Sequence, residues 1–91
     1  MKRVIRSQSY VRDLRQIECY VAQTSPRAAA DLWLHIDRQV GQLADPNFPR
    51  RIGRVAGTFE LVAHKNYIVT LLEDATTVTA LNVIHVKRKY P

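Results

Sequence analysis

Between Thr58 and Val86 three β-prone runs follow one another with connections too short for anything but reversal. Thr58 to Ala63 is apolar, Tyr67 to Leu72 is β-branched and aliphatic, and Thr76 to Val86 alternates before filling with Val, Leu and Ile. Lys65-Asn66 and Asp74-Ala75 separate the runs, where turn-forming Asn and Asp belong. A parallel pair needs a crossover of about a dozen residues or more, so these strands pair antiparallel and form a meander. The last run opens directly into a basic, aromatic tail: His85, Lys87, Arg88, Lys89 and Tyr90.

The first half has a different period. Val4-Ile5 is a short β-like pair flanked by charges, as suits an edge strand protected against aggregation. Tyr10, Leu14, Ile17 and Val21 then fall on one helical face, with Ser7 or Ser9 as the cap. Thr24-Ser25-Pro26 ends that helix and starts the next, Ser25 as N-cap and Pro26 at the first helical position. Ala29, Trp33, Ile36, Val40 and Leu43 form the second apolar face, on which Trp33 reads as a packing residue. Two amphipathic helices with so short a connection make an antiparallel hairpin, and the sheet is the surface able to cover their apolar faces. Asp45-Pro46-Asn47-Phe48-Pro49 breaks the second helix, and Arg50-Arg51-Ile52-Gly53-Arg54 leads across to the meander.

The expected architecture is an α+β domain spanning residues 1–91: an N-terminal strand and a two-helix antiparallel hairpin packed on an antiparallel sheet of about four strands. A chain of this length buries little more than about 60% of the surface it exposes unfolded, so a partner adding apolar contact matters to its stability. No run reaches the about 20 apolar residues of a membrane helix, and Met1 to Arg6 lacks the apolar core of a signal peptide, which predicts a cytoplasmic protein with no membrane partner. The lone Cys19 excludes an internal disulfide and a cysteine-based zinc site, and its helical position predicts a small apolar filler. A net charge of +6 predicts attraction to a polyanion or to an acidic protein.

No phosphate-binding glycine loop, paired carboxylates or Ser/His/Asp set is present, and no cofactor is expected. What remains is a concentration of cations, Arg50, Arg51, Arg54, Lys65, Lys87, Arg88 and Lys89, with His64, His85 and Tyr90 among them. Lys and Arg bind phosphates, Tyr stacks on bases, and His or Tyr can move a proton at an RNA 2′-hydroxyl. A solvated basic rim explains Arg50 to Arg54 as well as a binding role does, whereas the C-terminal group reads as functional. His64, at a strand end, can be satisfied by a backbone hydrogen bond; His85 shares a face of the last strand with Leu81 and Val83. A metal site would need a third ligand, and His35 is placed too far away on a helix to supply it, so no metal is expected.

The pattern Gly57-Thr58-x-Glu60-Leu61-Val62, His64, Asn66-Tyr67-Ile68-Val69, a strand closing on Val83-Ile84-His85, and a short basic tail ending Tyr90-Pro91 resembles the RelE/ParE toxins of type II toxin–antitoxin modules, most closely the ParE-like branch. The resemblance covers nearly the whole chain in length and element order; its specific part is the final third to half. It implies a plasmid-stabilisation or addiction toxin neutralised by a cognate acidic antitoxin, in a possible toxin–antitoxin hetero-oligomer. ParE members poison DNA gyrase by binding. RelE members cleave mRNA on the ribosome with basic residues and a tail aromatic on the concave sheet face, which here would assign catalysis to His64, His85, Arg88 and Tyr90. The chain departs from that pattern at Phe59, where the family usually carries Arg, and at Leu71-Leu72, where it usually carries Tyr-Arg. Phe cannot replace an Arg electrostatically, so the expected mode is ParE-like binding. The alternatives are RelE-like cleavage and a non-toxic RNA-binding module.

Overall fold

A computed structural model of the protein describes residues 1–87; Arg88, Lys89 and Tyr90 of the predicted site lie outside the described residues. The elements run β1 (Arg3–Arg6), α1 (Gln8–Ala22), α2 (Pro26–Gln42), β2 (Arg51–Ile52), β3 (Phe59–His64), β4 (Tyr67–Glu73) and β5 (Thr77–His85). Ser7 caps α1, its Oγ accepting the Tyr10 N–H at 3.0 Å while donating to the Leu81 carbonyl at 2.9 Å, so one hydroxyl fixes both the helix start and its place on β5. Ser25 caps α2 in the same way through the Ala28 N–H, with Pro26 following at the first helical position.

The strands form one five-stranded sheet in the order β1-β5-β4-β3-β2. The meander β3-β4-β5 is antiparallel as expected. Two features correct the expected sheet. Arg51–Ile52 forms a fifth strand against Phe59 and Glu60, too short to show any alternation in sequence. β1 lies parallel to β5, pairing Arg3–Arg6 with Thr77–Ala80. Nearly the whole chain separates these two strands, so the crossover requirement that forces the meander antiparallel places no such demand on them. β1 is an edge strand, as its flanking charges suggested.

One face of the sheet carries the helical hairpin. Tyr10 and Leu14 of α1, Ile36 and Val40 of α2 and its C-cap Leu43 meet Leu61, Ala63, Val69, Leu71, Val78, Ala80 and Val83 in one core. Each such aliphatic side chain, fully buried, contributes on the order of 1.5–3 kcal/mol of transfer free energy. Trp33 packs on this core from its margin. Cys19 is exposed, which corrects its expected role as a filler: four residues on from Arg15 and eleven from Gln8, it belongs to the outer face of α1.

β5 changes partners partway along its length. Thr70 opposes Asn82 but Leu71 opposes Ala80, leaving Leu81 as an extra residue in β5. Beyond that bulge β1 has ended, and α1 takes its place: the Asp13 carboxylate accepts from the Val83 N–H at 3.0 Å and from Asn82 Nδ2 at 3.2 Å.

Candidate functional site

The register sorts the predicted cations into two groups. Arg51 and Arg54 lie at the start of β3, whereas Lys65 in the β3–β4 turn and Lys87 after β5 lie at its far end, where the Val86 N–H donates to the Asn66 carbonyl at 2.9 Å. Arg50 belongs to neither group. Its guanidinium is 8% exposed, pairs with Glu73 at 2.8 Å, and donates to the carbonyls of Leu43, Asp45 and Phe48, so it ties the α2–β2 connection to β4. Arg50, expected from sequence among the target-binding residues, has its guanidinium engaged by these bonds.

Glu60 sets the first group. Its side chain is 5% exposed and pairs with Arg51 at 3.1 Å, while its other oxygen accepts the Arg54 N–H and stands 3.9 Å from the Arg54 guanidinium. Both arginines remain more than half exposed, so the buried carboxylate holds the Arg51 guanidinium and the Arg54 backbone while both side chains still face solvent. A groove starts beside Arg54 and follows the edge of β5 left open by β1. Thr70, Asn82 and Ile84 line it from the open sheet face, Ile17 and Tyr20 from α1, and Tyr67 and His85 at its end.

At the second group the histidines lie close together. His64 Nδ1 accepts the Asn66 N–H, and His85 Nδ1 accepts the Lys87 N–H, each at 3.1 Å. The backbone bond expected for His64 is therefore present. Burial, then the nearby His35 and Lys65, holds the His64 imidazole below its ordinary value, which keeps it neutral near pH 7. Nδ1 of each ring is thus engaged by a backbone N–H. His35 is closer than the sequence suggested: its ring centroid is 6.1 Å from that of His64. Among the described residues no group of three or more His, Cys, Asp or Glu side chains is arranged to hold a metal ion.

Phe59, Leu71 and Leu72, at which the sequence departs from the cleavage pattern, are apolar positions in the structure as well. Phe59 packs on the core and Leu71 is fully buried within it, while Leu72 is half exposed on the opposite face.

A second basic surface escaped the sequence reading. Arg12 and Arg15 of α1, with Arg6 of β1, rim a shallow groove whose apolar members are Val11, Cys19 and Tyr20, the last 64% exposed. The spacing of Arg12 and Arg15 marks them as helical neighbours, but only the register of β1 shows that Arg6 joins them. Arg6 is anchored by Asp37 at 2.8 Å, and the same carboxylate accepts the buried Tyr10 hydroxyl, whose ionisation is strongly suppressed by burial and by that bond. No helix among the described residues is long and apolar enough to cross a membrane.

The described residues form a helical hairpin laid on a mixed sheet with basic margins. This fold is one already seen: the chain is similar to a solved structure from the chromosomal ParDE TA system of P. aeruginosa, with a TM-score of 0.81, 21% identity, and coverage of 96% of this chain and 98% of that one. The expected RelE/ParE-like fold is thus the observed one. No protein-family profile and no curated protein sequence matches the chain.

Proposed function

We propose that the chain is the toxin of a toxin–antitoxin pair and that it arrests growth by ParE-like binding to DNA gyrase. The observation that carries this reading is the end-to-end fold likeness to a chain of a ParDE TA system. The site supports binding over cleavage. Phe59 packs on the core and Leu71 is buried within it, so at these two positions the described residues offer none of the polar side chains that the cleavage pattern carries there.

The partner that neutralises it is a small acidic protein whose disordered segment folds on contact. The α1 groove suits such a segment: three arginines for its carboxylates, and Val11 and Tyr20 for its apolar side. Target contact falls to the exposed Arg51, Arg54, Lys65 and Lys87, with Arg88, Lys89 and Tyr90 completing the set predicted from sequence. The cytoplasm is the compartment this role requires.

Supercoiling by purified gyrase in the presence of the chain, alongside primer extension on RNA from induced cells, tests the mode. Inhibited supercoiling without discrete cuts in translated codons is expected. Codon-specific cuts would transfer the role to ribosome-dependent mRNA cleavage.

A further inference from the structure

Four rings line up where β3 turns into β4 and β5 ends. His35 stands edge-on to His64 with centroids 6.1 Å apart, His64 lies 5.7 Å from Tyr67, and Tyr67 is edge-on to His85 at 5.0 Å. The two sheet histidines make the same bond two residues along their own chain, to the N–H groups of Asn66 and Lys87. The two segments so held are also joined to each other through the Val86 N–H and the Asn66 carbonyl. An imidazole nitrogen that accepts a hydrogen bond carries no proton, and an imidazolium has two donors and no acceptor. Protonation therefore turns each of these bonds into an N–H facing an N–H.

We infer that His64 and His85 form a pH-operated clasp: neutral, they hold the β3–β4 turn and the end of β5, and protonated, each releases its own segment. The surroundings favour a switch over a fixed charge. His64 faces His35 from α2, Lys65 from its own turn and Tyr67 from β4, with Lys87 following His85; none of these is an acid that would hold a proton on the ring. Gln39 of α2 keeps His35 in the row, its Nε2 lying 3.1 Å from the His35 Nε2 while donating to the Ala63 carbonyl. The carboxylates lining the groove that ends at His85 are already bonded, Asp13 to the Val83 N–H and Asn82, and Glu60 to Arg51 and Arg54.

The sign comes from linkage. Burial and the nearby His35 and Lys65 hold the folded His64 ring below its ordinary value, so between about 6.5 and that lower value the unfolded state binds more protons, and the His64 side of the corner loses stability as pH falls. Lys65 and Lys87 ride on the two clasped segments, so their separation is set at neutral pH and released in acid. That release does not depend on which partner those lysines meet.

The test is amide exchange and imidazole nitrogen NMR on the full chain between about pH 7.5 and about pH 5. At the upper end the Nδ1 shifts of both rings should be those of an unprotonated nitrogen. On acidification the protection of the Asn66 and Lys87 amides, corrected for intrinsic exchange, should fall about tenfold, while the Val69 amide in the central strand keeps its protection. Asparagine places a carbonyl oxygen near the position of Nδ1 and does not titrate. The His64→Asn/His85→Asn variant should therefore lose the acid step. If the pair fails to fold, His85→Asn alone should abolish the step at Lys87 and leave that at Asn66. Protection unchanged at about pH 5, protonated Nδ1 at neutral pH, or an acid step that survives the asparagine replacements would each overturn the clasp.

Discussion

Arg50 and Arg54 are four residues apart and act in opposite ways. Arg50 is buried against Glu73 and three carbonyl groups, and removing one partner of a buried ion pair costs about 3 kcal/mol or more. Arg50→Ala should therefore lower the melting temperature by about 10 °C or more, as followed by circular dichroism. Arg54 is 68% exposed and stands 3.9 Å from its carboxylate, so Arg54→Ala should leave the melting temperature within about 2 °C and weaken target binding instead. Similar drops in both variants would contradict the division of the basic group. At this scale the sequence was hard to read: all three arginines of the Arg50 to Arg54 stretch are equally charged, and only the packing of the α2–β2 connection decides which one is buried. The Tyr10 hydroxyl is a quieter case. Tyr10→Phe removes one bond to Asp37 but leaves that carboxylate with Arg6, so a loss of about 1 kcal/mol in urea unfolding is expected.

The elements themselves were largely legible, because each helix announces its cap and its apolar face and each meander strand is bounded by turn residues. Ser7, Ser25 and Pro26 occupy the helix starts expected of them, and Lys65-Asn66 forms the β3–β4 turn. What stayed hidden was non-local: the parallel pairing of β1, the two-residue β2, and the bulge at Leu81 depend on neighbours distant in sequence. The β4–β5 turn shows how a local signal becomes stability. Asp74 Oδ1 accepts the N–H groups of Thr76 and Thr77 at 2.9 and 2.8 Å, and these bonds hold its carboxyl below the usual range. A depressed carboxyl means the folded state binds fewer protons, so the contribution is present above the unfolded value of about 3.9 and is lost as pH falls through the folded one. Asp74→Asn keeps an acceptor oxygen and removes the titration. Its urea midpoint should vary less than that of the parent chain between about pH 5 and about pH 2.5, whereas an unchanged acid dependence would show that other carboxyls govern that range.

For the whole molecule, a net charge of +6 on so small a domain creates a field that attracts anionic surfaces, and the described cations lie on more than one surface. The candidate site was legible in part. The C-terminal cations and both sheet histidines were named from sequence, but the α1 groove was not, because it joins a strand residue to a helix face. Truncation after Val86 removes Lys87 and the basic residues beyond it. It should abolish growth inhibition while sparing the melting temperature and antitoxin binding, since loss of a chain's last few residues usually costs little stability. A truncated chain that is still fully toxic would show the tail to be a solvated end, and one that unfolds would place Tyr90 in the core. The most direct measurement of the central claim is growth after controlled induction of the chain, alone and together with the product of the neighbouring reading frame, which the account expects to be a small acidic protein. The account predicts arrest by the chain alone, rescue by co-expression, and co-purification of the two at moderate salt. Unimpaired growth on induction, with a stable chain that ignores its neighbour's product, would contradict it.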